Sequence, residues 1–231
     1  NNLFKEAKKN KKKIFVGFVT SGDPDYKSSK EIIKEMTKSC QIIEAGISFN
    51  TSTSDSPIIM EANDRAINSG MNMNKTFKLI KEVKRETKTN TCFVIMTYLN
   101  PVKIFGVKKF INQCSFVGID GVIIVDSNLN SPEEKILING LSKNKIGYIK
   151  IISPTNDDEF IKQSIKNCRD SWLYITSYFG LTGSKNVNIN NVKTMIKRVR
   201  KYSKEIPVAV GFGVKTPSQV KQVSRYADGV I

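Results

Sequence analysis

Short apolar runs alternate with longer amphipathic stretches along the whole 231-residue chain. The runs are rich in β-branched residues and are bounded by Gly, Pro, Asn or Ser, which is typical of buried strands. Eight runs are found, at residues 14–19, 41–45, 92–97, 121–125, 147–152, 173–176, 207–211 and 228–231. Strands that alternate with helices predict a parallel sheet covered on both faces.

The stretches between the runs predict helices, because their apolar residues recur every three or four positions. They cover residues 28–38, 57–69, 75–86, 132–142, 158–167, 192–202 and 217–226. Two of them fall between the second and third strands, so the pattern predicts an extra helix after strand two. Eight repeats favour a closed (β/α)₈ barrel of the TIM type, with a doubly wound open sheet as the alternative.

No linker or change of composition divides the chain, so we expect a single domain over residues 1–231. The eighth run ends with the chain, although a barrel places a helix after its last strand. We therefore expect the C-terminal helix to be missing from this sequence, and the first residue, Asn1, indicates that the start is incomplete as well.

Composition excludes several classes of protein. No run approaches the roughly 20 apolar residues of a membrane span, and no signal peptide is found. The chain has no histidine, which excludes His-dependent triads and histidine zinc sites. Its cysteines form no CxxC pair, so we expect no metal and reduced thiols, in the cytoplasm or, in a plant or alga, the plastid stroma. They are Cys40, Cys92, Cys114 and Cys168.

A formal net charge of +16 raises the alternative of a nucleic-acid partner. The lysines are scattered over predicted helix faces, however, except for those at positions 8, 9 and 11–13. A bias toward Lys and Asn codons explains the charge as well, so we expect neither nucleic acid nor membrane as a partner.

Active sites of such barrels lie where the strands end and in the loops that follow. Glu44 is a carboxylate near the end of an otherwise apolar strand, where it must be paired with a lysine or used in chemistry. Asp55 follows in the next loop, where Asp55 or Ser56 can instead cap a helix that begins at Pro57. Two carboxylates at one barrel mouth suit acid–base catalysis.

Other strand ends carry weaker signals. Residues 20–24 (TSGDP) predict a turn after strand one. Tyr98 follows strand three and either lines a pocket or packs, and Asp126 follows strand four as a helix cap or a rim charge. Gly-rich segments follow strands six (177–184) and seven (211–214), where backbone N–H groups can approach a phosphate.

These segments together resemble the tryptophan synthase α subunit from about residue 3 to residue 231. The resemblance rests on residues 18–24 (FVTSGDP), 44–49 (EAGISF), 55–57 (DSP), 96–101 (MTYLNP), 180–183 (GLTG) and 211–213 (GFG). It implies a ribulose-phosphate-binding type of barrel. It also implies a lyase that cleaves indole-3-glycerol phosphate to indole and glyceraldehyde 3-phosphate in tryptophan biosynthesis.

The resemblance also assigns roles to residues. Glu44 corresponds to the glutamate that shuttles protons, and Asp55 to the aspartate that binds the indole N–H. Substrate-binding positions correspond to Phe18, Tyr98, Tyr174, Thr182, Gly183, Phe212 and Gly213. The family needs no cofactor in this subunit. Its partner is a β subunit that holds pyridoxal phosphate, and the two form an αββα heterotetramer.

The chain departs from the family pattern in its loops. Ser48 stands where proline is usual, residues 50–52 (NTS) replace Ser-Asp-Pro, and Ser56 replaces the glycine of Asp-Gly-Pro. Residues 127–128 (SN) lack the usual proline, and Tyr178 stands where some members have arginine. These changes leave open a weakly catalytic barrel that docks on and regulates a β-type subunit. A different phosphate-binding barrel of tryptophan or histidine biosynthesis is a further alternative.

Overall fold

The computed structural model describes residues 2–50, 55–168, 170–177 and 187–231. In these ranges helices and strands alternate. They are α1 (Asn2–Lys9), β1 (Ile14–Thr20), α2 (Tyr26–Met36), β2 (Ile42–Gly46), α3 (Pro57–Asn68), α4 (Met73–Thr87), β3 (Cys92–Thr97), α5 (Leu99–Phe105), α6 (Val107–Val117), β4 (Gly121–Ile124), α7 (Pro132–Lys143), β5 (Gly147–Ile152), α8 (Asp158–Asn167), β6 (Leu173–Thr176), α9 (Ile189–Tyr202), β7 (Val208–Gly211), α10 (Pro217–Val223) and β8 (Gly229–Val230).

The eight strands form a closed barrel in chain order, and the strand pairs in each ladder run parallel. The predicted barrel is therefore confirmed, and the doubly wound alternative is wrong. All residues of β2, β4, β6 and β7 are buried. Strands of this kind read as continuous apolar runs in the sequence, which is why the pattern located them.

Residues 17–146 form one compact unit. Here β2 pairs with β3 from Ile42 opposite Cys92 to Gly46 opposite Met96, and β3 pairs with β4. The helices that cover this ladder supply fully buried side chains, among them Ile33, Leu79, Ile80, Phe110 and Leu137.

Residues 1–16 and 147–231 form the second unit. Its ladder runs through β5, β6, β7 and β8 to the start of β1. One apolar cluster joins Leu173 and Ile175 of β6 to Val192, Met195 and Val199 of α9. These residues are buried because one stripe of the helix faces one face of the sheet.

The predicted helices are found, including the extra one, since both α3 and α4 lie between β2 and β3. The pattern missed three helices, namely α1, α5 and α6. In α6 the buried residues Phe110, Ile111, Cys114 and Val117 do follow a helical spacing, so the signal was present. In α1 only Phe4 is buried, which leaves too little pattern to recognise.

Two global expectations concern membranes and thiols. Among the described residues, no helix is both long and apolar enough to cross a membrane. The four cysteines are free thiols, and Cys40, Cys114 and Cys168 are buried.

Helix α7 offers a direct test of the core. Leu137 is fully buried, whereas its neighbour Ile136 is 55% exposed. We expect Leu137→Ala to lower the free energy of unfolding by about 2–5 kcal/mol, because it leaves a cavity in the apolar layer. Ile136→Ala should change it by less than about 0.5 kcal/mol. Urea denaturation followed by circular dichroism measures both, and equal effects would contradict this helix orientation.

Candidate active site

Glu44 occupies the middle of β2 and is 1% exposed. Side chains alternate along a strand, so Glu44 lies on the same face of β2 as position 46. A Cβ atom built at Gly46 would lie 3.0 Å from Cε2 of Phe18. The ring of Phe18 therefore contacts the face of β2 that carries the carboxyl group.

Burial dominates the chemistry of Glu44. Its Oε2 has no hydrogen-bond partner in the described part of the chain, and no lysine there forms an ion pair with it. The predicted alternative of a lysine salt bridge at the barrel rim is therefore wrong. Desolvation raises the pKa of Glu44 to about 8. The carboxyl group is thus largely protonated at neutral pH, and it can donate a proton and then take one back.

Asp55 lies directly before α3 and is 6% exposed. Asn63, at the end of the second turn of that helix and also buried, donates from Nδ2 to Oδ2 of Asp55 at 3.3 Å. Pro57 begins the helix as predicted, with Ser56 at the N-cap position. The side chain of Ser56 makes no capping hydrogen bond and its hydroxyl is buried without a partner, so the predicted capping role of Ser56 is wrong.

An aromatic pair follows the neighbouring strands. Tyr98, which is 5% exposed, directly follows β3, and its ring centroid lies 5.7 Å from that of Phe49.

The main-chain N–H of Leu99 donates to Oδ1 of Asp126 at 2.7 Å. Asp126 is therefore a helix cap, as one of its predicted alternatives had it, but it caps α5 rather than the helix that follows it.

Two further residues, to which the sequence assigned no role in the site, lie on the same face of the sheet as Glu44. Met96 lies opposite Gly46 in the ladder, and Ile123 lies opposite Met96, so both share the face of the sheet that carries Glu44. Met96 is only partly buried. The register of the strands identifies this face, and the register cannot be read from one sequence.

The second unit holds the other aromatic candidates. The rings of Tyr174 and Phe212 meet edge to face, with centroids 5.8 Å apart. A Cβ at Gly211 would lie 2.4 Å from the Tyr174 hydroxyl oxygen, so only glycine leaves room for this ring. Phe212 and Gly213 both have positive φ, at 68° and 84°.

That turn is held by side-chain and main-chain bonds. Ser177 donates from Oγ to the Phe212 carbonyl at 2.5 Å, and the N–H of Val187 donates to the Gly213 carbonyl. Left-handed conformation is unfavourable for phenylalanine by roughly 1–2 kcal/mol, so these bonds maintain the turn. The remaining predicted site residues, Thr182 and Gly183, lie outside the described residues, as does Tyr178.

No group of three or more Cys, Asp or Glu side chains in the described ranges could hold a metal ion. The chemistry in hand is that of a protonated, desolvated carboxyl group on an apolar and aromatic wall. A parallel α/β barrel with such a group at its strands defines a class of enzymes, the barrel lyases and isomerases that work by acid–base catalysis.

Comparison with known proteins identifies the family within this class. The sequence model of the family described as tryptophan synthase alpha chain matches residues 4–231. The chain is 37% identical over 221 residues to the tryptophan synthase alpha chain of Petrotoga mobilis, covering 95% of this chain and 83% of that one. It is 35% identical over 228 residues to that of Methanocaldococcus jannaschii, covering 99% and 79%. The chain belongs to the tryptophan synthase alpha chain family.

Solved structures agree. A Mycobacterium tuberculosis tryptophan synthase structure superposes with a TM-score of 0.90 at 26% identity, over 100% of this chain and 86% of that one. A tryptophan synthase complex from Pyrococcus furiosus gives 0.82 at 26% identity, over 94% and 85%. The predicted family, and with it the prediction of a lyase of tryptophan biosynthesis, is confirmed.

The raised pKa of Glu44 has a consequence for stability. Its ordinary pKa of 4.5 holds in the unfolded chain, whereas the folded chain keeps the proton up to a pKa of about 8. The folded state therefore binds more protons between these values, and the free energy of unfolding should fall as pH rises through this window.

Glu44→Gln stays uncharged. As pH rises from about 5 to about 9, we expect the free energy of unfolding of this variant to increase by a few kcal/mol relative to that of the native chain. Urea denaturation of both proteins at each pH measures the difference. Glu61→Gln, at an exposed position of α3, serves as control. A difference that does not change with pH would show that Glu44 ionises normally.

Proposed function

We propose that this chain cleaves indole-3-glycerol phosphate to indole and glyceraldehyde 3-phosphate, with Glu44 as its acid–base residue. The observation that carries this proposal is the buried Glu44 carboxyl group, whose pKa is raised to about 8, on the face of β2 that contacts Phe18. Retro-aldol cleavage requires a group that gives and takes a proton near neutral pH inside an apolar pocket.

The proton steps balance on one carboxyl group. Protonated Glu44 donates to C3 of the indole ring, which becomes an iminium-like tautomer. The resulting carboxylate accepts the proton of the hydroxyl group on the adjacent glycerol carbon. As that hydroxyl becomes the aldehyde, the bond between the glycerol carbon and C3 breaks, and its electron pair returns to the ring as indole forms.

Asp55 is proposed to accept a hydrogen bond from the indole N–H. Its negative charge would stabilise the positive charge that develops on the ring, which favours the transition state over the bound substrate. The bond from Asn63 supports this role, because it holds Oδ2 of Asp55 and so helps to fix the orientation of the carboxylate.

Substrate binding is assigned by correspondence with the family. Phe18 and Tyr98, with Tyr174 and Phe212, are proposed to contact the indole ring, and Thr182 to close toward Asp55 and exclude water. Gly183 and Gly213 are proposed to offer backbone N–H groups to the phosphate, which the positive φ of Gly213 supports. Proton transfer and charge stabilisation complete the reaction, so no cofactor is proposed for this chain.

A tryptophan synthase β subunit that holds pyridoxal phosphate, in an αββα assembly, is the proposed partner. The structural match to a tryptophan synthase complex supports it. So does an open cavity of about 470 Å³ in residues 17–146, whose apolar wall includes Phe49, Phe105 and Ile104, the last 79% exposed. We propose a cytoplasmic location, in keeping with free thiols.

A purely regulatory barrel is not favoured. Such a subunit would have no use for an uncharged carboxyl group desolvated on its second strand, since a buried Glu44 lowers stability and an apolar residue would serve packing better. The family's enzymatic members thus provide the simpler account of the site.

The decisive experiment measures indole release from indole-3-glycerol phosphate, with and without a β subunit. We expect Glu44→Gln and Asp55→Asn each to lower kcat by about 10²–10⁴-fold while the fold is kept. Glu61→Gln is the matched control, because it makes the same change at an exposed position. Full turnover in both site variants would refute the proposal.

Asn63 gives a second test of the site. Asn63→Ala removes a bond to a charged acceptor, and we expect kcat to fall about 10–100-fold with little change in KM. Asn63→Ser keeps a donor and should recover part of the loss. Asn68→Ala, at an exposed position of the same helix, should leave kcat unchanged. A KM effect without a kcat effect would show that Asn63 does not act through Asp55.

A further inference from the structure

Four lysines surround a small cavity in the unit formed by residues 1–16 and 147–231. The cavity has a volume of about 240 Å³ and is lined by Phe4, Lys8, Lys11, Lys12, Lys13 and Asp228. None of these residues belongs to the proposed catalytic or substrate-binding set. The cavity is therefore a site without an assigned role.

The backbone that presents these lysines is held in place. After α1 the chain turns with Lys11 at φ 54°, a left-handed conformation that is unfavourable for a residue with a side chain. The N–H groups of Lys11 and Lys12 donate to the carbonyls of Lys8 and Ala7 at 3.1 and 2.8 Å. These bonds fix the turn, so the positions from which the side chains extend are set by the fold.

Two residues of the lining, Lys13 and Asp228, already form hydrogen bonds with other groups of the chain. Lys13 donates from Nζ to the Ala227 carbonyl at 2.8 Å. Asp228, the acidic residue of the lining, accepts from the Arg200 guanidinium at 2.8 Å and from the Val208 N–H at 2.9 Å. Its charge is thus neutralised by an arginine rather than by the lysines.

In the described ranges, none of the four lysines forms an ion pair, although lysines on other helices do. Those paired with carboxylates include Lys30, Lys34, Lys38, Lys78, Lys84, Lys103, Lys162 and Lys201. The C-terminal dipole of α1 favours Lys8, but an eight-residue helix offers a fraction of one charge. The cavity therefore carries positive charge in excess.

We propose that this cavity binds a compact anion with two linked phosphate groups. A cavity of about 240 Å³ is roughly 8 Å across, which is no more than one Debye length at physiological salt, so salt screens the repulsion between the exposed ammonium groups only in part. A diphosphate would relieve their repulsion and accept several charge-assisted hydrogen bonds. A small cavity favours a free diphosphate over a polynucleotide, which needs an extended strip of cations.

One residue of the cavity lining, Phe4, lies beside a tryptophan whose fluorescence can report binding. The Phe4 ring lies 5.9 Å from Trp172, which is the one tryptophan of the chain and is 4% exposed. A ligand that contacts Phe4 should change the environment of Trp172, so its fluorescence emission gives a second readout of binding.

The test is equilibrium dialysis of the full chain against radiolabelled pyrophosphate, followed in parallel by Trp172 emission. We expect one saturable site that the double variant Lys11→Gln/Lys12→Gln weakens about tenfold or more. The control is Lys143→Gln/Lys145→Gln, which removes the same charge at the last residue of α7 and in the turn that follows, where Lys145 also has positive φ, 58°. The control should keep native affinity, and both doubles should keep native indole release.

Four outcomes would overturn the proposal. The native chain could fail to bind pyrophosphate, or both double variants could lose affinity equally, which would indicate net charge alone. Pyrophosphate could instead compete with indole-3-glycerol phosphate and bind the Lys11→Gln/Lys12→Gln variant normally, which would place it in the substrate's phosphate site. Tighter binding of a single-stranded oligonucleotide than of pyrophosphate through the same lysines would favour a nucleic-acid surface instead.

Discussion

The candidate site depends on the burial of one carboxyl group. Glu44 lies inside the β2–β3 ladder, opposite Val94, and the next residues on its face are Ile42 and Gly46. No water-exposed position is within its reach on that strand, and the group holds its proton because ionisation would leave a charge without solvation. The burial that lets this group exchange a proton near neutral pH also lowers the stability of the folded chain.

Apolar packing in the surrounding sheet offsets this loss of stability. The residues that share the opposite face of β2, Ile43 and Ala45, are fully buried, and their ladder partners Phe93 and Ile95 are as well. A strand fixed by main-chain bonds and apolar contacts on one side can carry an unfavourable group on the other. The site is therefore rigid for structural reasons, which is what acid–base catalysis requires of its donor.

The sequence located the strands well, because every strand buried on both faces is an apolar run between turn residues. It also located Glu44, since a carboxylate within such a run is exceptional. It could not decide between a salt bridge and a desolvated acid, because that depends on which lysines reach the strand. Nor could it find Asn63 or Met96. Asn63 meets Asp55 only after two turns of α3, and Met96 reaches the site through strand register.

One departure from the family pattern, Ser48, makes a hydrogen bond of its own. Ser48 stands at a position where the resemblance leads us to expect proline, and its hydroxyl donates to the Ser21 carbonyl at 3.0 Å. This hydrogen bond connects the segment after β2 to the residue that follows β1. Proline at position 48 would instead restrict the backbone through its ring. Ser21 in turn donates its N–H to the Gly46 carbonyl, directly beside the contact between Phe18 and Gly46. Ser48 is therefore connected through Ser21 to the end of β2, two residues after Glu44, so its hydroxyl takes part in the hydrogen bonds that hold this strand end.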